Sequence, residues 1–153
     1  MNRARRMIAI IFFFAIIFSG IQSLVHANSF DRNLNYYKYR EDEHFSYYLD
    51  ESSIECTRNE PPYYALKVMN AIWDYSNNTY LLCENVFMYN YDTKKVSLSI
   101  NEMKTYSEDG CLLYVIGRQD TFDVSADTPG GTYANLVFSK YFGRSFYWFY
   151  YFF

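Results

Sequence analysis

The chain has 153 residues, half of them hydrophobic and 22% aromatic, with a formal net charge of −3 and a pI near 5.3. Apart from three arginines at its start it has no basic cluster, which excludes a surface built to neutralise phosphates, so nucleic acid is not an expected partner. One domain is the natural count at this length, and such a chain hides roughly two-thirds of its surface on folding, so disulfides are permitted but not required.

The N-terminus divides into three parts. Arg3, Arg5 and Arg6 form a positive opening, residues 7–18 are an unbroken apolar run, and Ser19, Gly20 and Gln22 then loosen it. Val25-His26-Ala27 places apolar or small residues where a signal peptidase reads. This is the layout of a secretory signal over residues 1–27, with cleavage expected between Ala27 and Asn28. An uncleaved anchor helix is the alternative, but it wants about 20 apolar residues, and the run reaches that length only by including Gln22 and Ser23. The expectation is an exported protein, periplasmic, secreted or held at the cell surface, with no stable membrane span once the signal is removed.

Residues 28–44 read as a polar leader, either poorly ordered or docked on the domain through Tyr36, Tyr37 and Tyr39, carrying Arg32, Lys38, Arg40 and the acidic run Glu41-Asp42-Glu43. From Phe45 onward, residues 45–153, the pattern is that of one antiparallel-sheet domain. Residues 45–49 alternate, Asp50-Glu51-Ser52 turns, and residues 53–58 alternate again. Pro61-Pro62 breaks the chain, since neither proline can donate to a ladder. Residues 63–75 have one parity of Tyr64, Leu66, Val68, Asn70 and Ile72 and another of Tyr63, Ala65, Lys67, Met69, Ala71 and Trp73; with no helix cap after the prolines, period two fits better than a helix. Residues 79–91 form a long strand, Asp92-Thr93-Lys94 a short reversal, and residues 95–106 a strand with Val96, Leu98 and Ile100 on one face. Gly110 closes a further hairpin into residues 111–116, apolar on both faces and therefore expected at the centre of the sheet.

The last third changes period. Thr128 is a capping residue with Pro129 at the first helical position. Ala134, Val137, Phe138 and Tyr141 then make an apolar stripe at helical spacing, and Gly143 stands where a helix-terminating glycine belongs. The reading is a helix over residues 129–142, lying across the sheet. The chain closes on SFYWFYYFF, residues 145–153. Because both of its parities are aromatic, it reads as a covered strand rather than as the last strand of a membrane barrel, whose lumen side is polar. The fold class expected is α+β: mainly antiparallel β-sheet with one C-terminal helix packed on it.

The order Tyr48-Leu49-Asp50, Ser53-Ile54, a break, an apolar strand, Cys83 in a long strand, Asn90-Tyr91-Asp92 and Thr128-Pro129-Gly130-Gly131 resembles a group of small exported bacterial domains of unknown function. More distantly it is similar to the surface-adhesin protein E family, over about residues 45–147. The resemblance implies an antiparallel sheet with a helix packed on it, and attachment to host extracellular proteins. The chain departs from that family's pattern in having no cysteine after Cys111, where the family links its sheet to the C-terminal element.

Chemistry-bearing residues are sparse. Cys56, Cys83 and Cys111 allow one bridge in three pairings. Cys83 with Cys111 is favoured, because both lie on strands that could be neighbours, and burial of all three as free thiols is the alternative. The cysteine spacings match no zinc pattern. After the signal, His44 is the single histidine, in the leader among acidic neighbours, so a nucleophile has no placed base. No catalytic residue, metal ligand or cofactor is expected. The functional expectation is a non-catalytic secreted or cell-envelope binding module for an extracellular protein or glycan, with Trp73, Tyr75 and Tyr80 at one hairpin end as the candidate ligand face and core packing as the stronger alternative for these three. The alternatives are an envelope component that self-assembles through a sheet edge or the aromatic C-terminal strand and, behind it, a small hydrolase with a carboxylate site.

Overall fold

The computed structural model describes residues 29–146. The expected signal segment with its Ala27–Asn28 cleavage point, and residues 147–153 of the aromatic terminus, lie outside the described residues. A 3-10 turn, Ser29–Arg32, leads into eight strands: β1 (Tyr36–Glu41), β2 (Phe45–Asp50), β3 (Glu55–Glu60), β4 (Tyr63–Asp74), β5 (Thr79–Asn90), β6 (Lys95–Ser107), β7 (Leu112–Ile116) and β8 (Phe122–Val124). One helix, α1 (Pro129–Phe142), follows. All strand pairs are antiparallel, in the order β1-β2-β4-β5-β6-β7. The fold is therefore α+β, a predominantly antiparallel sheet with a C-terminal helix.

Two long strands organise the sheet. β4 pairs along its whole length with β5, while its other edge is shared: β3 takes the first half (Glu60 opposite Tyr63) and β2 the second (Phe45 opposite Asp74). β6 is used in the same way, with β8 against residues 96–98 and β7 against residues 103–106. The reversals are made by side chains that bond the turn backbone. Asp74 accepts from the N–H groups of Ser76 and Asn77, Asn90 from those of Asp92 and Thr93, and the left-handed positions fall on Asn78 and Lys94.

Alternation sets the two faces. Leu66 and Val68 on β4, Phe87 and Tyr89 on β5, and Val96 and Leu98 on β6 point to the face that α1 covers with Tyr133, Ala134, Val137 and Phe138. Phe138 is fully buried against the rings of Tyr64, Tyr89, Tyr91, Phe142 and Phe146. Burying one such side chain contributes on the order of 2–3 kcal/mol, which makes packing rather than helix propensity the source of this helix's stability. The helix ends match their sequence signals. The Thr128 side chain accepts from the Gly131 N–H, and Gly143 ends the helix at φ 70° with its N–H on the Ser139 carbonyl. Phe146, the first aromatic of the closing run, is buried and donates its N–H to Asn135 Oδ1 at 2.8 Å.

Three elements differ from the sequence expectation. Residues 29–41, read as a leader, supply the Ser29–Arg32 turn and the edge strand β1, because Phe30 and Tyr36 anchor on Tyr48 and Trp73. β7 is not central: it lies at the sheet edge, and every residue of Leu112–Ile116 is exposed. Apolarity on both faces shows that a strand lacks polar partners but does not say whether a neighbour covers it. A β-bulge also places Asn101 outside the register between β5 and β6, where it donates to Glu84 Oε1 at 2.8 Å. Beyond it Met103 and Thr105, rather than Glu102 and Lys104, share the face of Ile100. Among the described residues no helix is long and apolar enough to cross a membrane.

Candidate functional site

The helix covers only part of its face of the sheet. Where its N-terminus meets β1, β2, β4 and β5 it leaves an open cleft of about 290 Å³, lined by Tyr39, Arg40, Tyr47, Asn70, Ile72, Asn85, Leu98, Pro129, Gly130 and Tyr133. That is the low end for small-molecule sites, enough for one ring. Two local devices build it. A bulge in β1 between Lys38 and Arg40 breaks the strict alternation there, and Tyr39 and its neighbour Arg40 both line the cleft. Gly131 lets the helix start close to the preceding loop: a Cβ there would stand 2.1 Å from the Ser125 carbonyl oxygen.

The floor is polar. Asn70 and Asn85, both buried, face each other from β4 and β5, and Asn85 Nδ2 donates to Asn70 Oδ1 at 2.5 Å. Tyr39 and Tyr133 stack with ring centroids 4.8 Å apart and an interplanar angle of 8°, and Tyr47 lies 6.1 Å from Tyr39. Tyr133 is 6% exposed, and its buried hydroxyl finds no acceptor for its proton. Burial raises its pKa well above the usual phenol range; the neighbouring Tyr39 adds to this and a hydrogen bond from Asn85 opposes it. Burial likewise raises Tyr39, assisted by Tyr47 and Cys83 and opposed by Arg40. Both phenols are therefore neutral O–H groups at physiological pH. At the mouth, the Arg40 guanidinium lies 5.4 Å from the Tyr47 ring centroid and only 4.0 Å from Asp42, a loose pairing.

The candidate face read from sequence is arranged differently. Trp73 is buried, stacked on Tyr80 (6.0 Å, 11°), which in turn stacks on Tyr106 (5.1 Å, 12°), with Phe30 set edge-on against Tyr80. Tyr75 bonds Ser46 Oγ at 2.7 Å and donates to Glu41 at 2.8 Å. The three residues thus come together on the face opposite α1, in a second small core closed by the Ser29–Arg32 turn. Cys83 and Cys111 are not brought together. Cys83 is buried in β5 opposite Met103, Cys111 is exposed in the turn after β6, and all three cysteines are free thiols. Four residues of strand separate those positions, on the order of 13 Å, beyond the roughly 7 Å reach of a bridge.

Among the described residues that line the cleft there is no cysteine, histidine or carboxylate. Burial pushes the Cys83 thiol up to about 11, away from thiolate chemistry. His44 is in an exposed turn, 3.5 Å from Ser76 Oγ. Two acidic groups, Asp42 and Asp109, serve local turns. Hydrogen bonds from the His44 and Phe45 N–H groups hold Asp42 below the usual carboxylate range, and the Ser107 hydroxyl does the same for Asp109, the opposite of what a general acid needs. Among the described residues no three metal-ligating side chains converge. A second depression, about 370 Å³ and lined in part by Arg58, Tyr63, Met88 and Lys95, is elsewhere on the sheet. Its arginine is already held by Glu60 at 3.0 Å and by the Tyr63 ring. The cleft residues carried one sequence signal: Asn70 interrupts an otherwise apolar parity of β4. Comparison of the chain with protein-family models, with curated proteins and with solved structures gives no match.

Proposed function

We propose that this protein is a non-catalytic binding module, exported by its N-terminal segment, that takes a small group of an extracellular protein or glycan into the tyrosine-lined cleft at the helix N-terminus. The observation that carries this reading is the Tyr133 hydroxyl, a buried O–H whose proton meets no acceptor, at the wall of an open cleft. Folded proteins pair nearly all such groups, and an unmet one costs about 1–3 kcal/mol, which a bound acceptor would recover. Aromatic walls around a few converging polar groups are the usual make-up of a recognition pocket. The distant resemblance to surface adhesins points to the same class of partner.

The test is a screen of the full chain against extracellular-matrix proteins and glycans, run beside the double variant Asn70→Leu/Asn85→Leu. Replacing both partners of a buried hydrogen bond with apolar groups of similar shape is close to neutral for stability, so loss of a ligand by a folded double variant locates binding in the cleft. A screen in which every retained ligand binds the double variant equally well refutes the proposal.

Self-assembly through a sheet edge is the second reading, favoured by β7. Leu113 is 53% exposed and Val115 48% on a strand with no charge or proline to blunt its edge, although its register on β6 shifts at Leu113. Antiparallel pairing of β7 with β7 of a second copy would extend the sheet. It predicts a concentration-dependent dimer by sedimentation that Leu113→Lys abolishes; a monomer across the accessible range refutes it.

A further inference from the structure

The groups facing the cleft are biased towards one sign. Tyr133 holds a neutral O–H with nothing to accept it. Asn70 uses its Oδ1 to accept from Asn85, which leaves its own Nδ2 free to donate. Gly130, second in α1, carries one of the N–H groups for which a helix offers no internal acceptor, at the positive end of the helix dipole. Arg40 supplies a full positive charge at the mouth, with Asp42 no nearer than 4.0 Å. No carboxylate lines the cleft. A set of donors around a single cation is complementary to an acceptor-rich group bearing one negative charge. The volume admits one ring, and the Tyr47 ring and the amide pair give that ring a face to lie on and partners for its hydroxyls.

From this geometry we infer that the cleft binds a carboxylate-bearing monosaccharide unit, a hexuronic acid, with its carboxylate on Arg40 and the helix N-terminus and its ring hydroxyls on Tyr133, Asn70 and Asn85. A peptide carboxylate fits less well, because the donors are side chains spread around a ring-sized space rather than a nest of successive backbone N–H groups. The chain's net negative charge opposes anions at long range, but this is screened beyond about 8 Å at physiological salt, so recognition rests on the contact donors. The inference deepens the proposed function and depends on it.

The experiment titrates the full chain with glucuronate, glucose and acetate, followed by calorimetry and by NMR shifts of the tyrosine rings, in wild type, Arg40→Gln and Tyr133→Phe. Arg40 is exposed and Tyr133→Phe keeps the ring, so both variants leave the fold in place. Glucuronate is expected to bind about tenfold or more tightly than glucose or acetate. Arg40→Gln should bring glucuronate to the level of glucose, and Tyr133→Phe should weaken it about tenfold, the scale of one hydrogen bond to a charged or buried group. Glucose binding as well as glucuronate, acetate competing as strongly as glucuronate, or an unchanged affinity in Arg40→Gln each overturns the assignment. Failure here is separable from failure of the binding-module reading. A neutral ligand that the Asn70→Leu/Asn85→Leu variant loses keeps that reading and removes this inference.

Discussion

Replacing Phe138 with alanine removes the ring that joins α1 to the sheet. The side chain is fully buried, with ring centroids 4.6 Å from Phe142, 4.7 Å from Tyr89 and 5.2 Å from Phe146, and Tyr91 and Tyr64 at 5.8 and 6.1 Å. Phenylalanine-to-alanine changes in cores cost about 3–5 kcal/mol. Ring pairs add roughly 0.5–1.5 kcal/mol each beyond area, but they share one cavity and do not sum. A loss of about 4 kcal/mol is expected, a large part of the 5–15 kcal/mol typical of a domain. With a urea slope of about 1.5–2 kcal/mol/M, the midpoint should fall by about 2–3 M. Phe138→Leu, which keeps most of the volume, should cost about 1.5 kcal/mol or less. Urea unfolding followed by near-ultraviolet circular dichroism reads both. A midpoint change under about 0.5 M for the alanine variant, at unchanged slope, would refute the packing of α1 on the sheet and, with it, the wall of the cleft.

Gly131→Ala should destabilise by about 3 kcal/mol, because its Cβ would meet the Ser125 carbonyl oxygen at 2.1 Å and Ala126 Cα at 2.8 Å, both backbone. Gly143→Ala meets open space and pays only its left-handed φ of 70°, about 1 kcal/mol; the reverse order in urea unfolding would contradict the helix geometry. Tyr39 and Tyr133 have pKa values raised by burial. The folded state therefore holds their protons more tightly than the unfolded state, and the stability this gives is complete below the ordinary phenol pKa of about 10 and lost as pH rises above it. Absorbance at 295 nm should show some tyrosines ionising only on unfolding, and Tyr133→Phe should make that alkaline loss less steep. Alkylation at pH 8 followed by mass spectrometry should modify exposed Cys111 quickly and buried Cys83 only after denaturation; equal rates would contradict the burial of β5.

Much of this architecture was readable locally. The cap at Thr128, the stop at Gly143 and the stripe between them give a helix whose bounds match the structure, because capping depends on residues within one turn of each other. The long strands β4, β5 and β6 were legible for a related reason: Asn90, Asp74 and their turns are short-range chemistry, and alternation decides which side chains share a face. The cleft was not legible. Tyr39 is separated from Tyr133 by almost the whole domain and stacks on it only because a bulge in β1 alters its facing. Trp73, Tyr75 and Tyr80 read in the sequence as core or as a ligand face, because nothing local showed that Phe30 would return to cover Trp73.

The sequence by itself determined the class of fold, the existence of the long strands and the ends of the helix, since each follows from neighbours a few positions apart. Only the tertiary structure decided that β7 stands at an edge, that residues 36–41 complete the sheet, and that Asn70, Asn85 and Tyr133 meet in one cleft. Periodicity fixes the direction in which a side chain points. What it points at depends on pairings between distant segments, chosen by the packing of the whole chain.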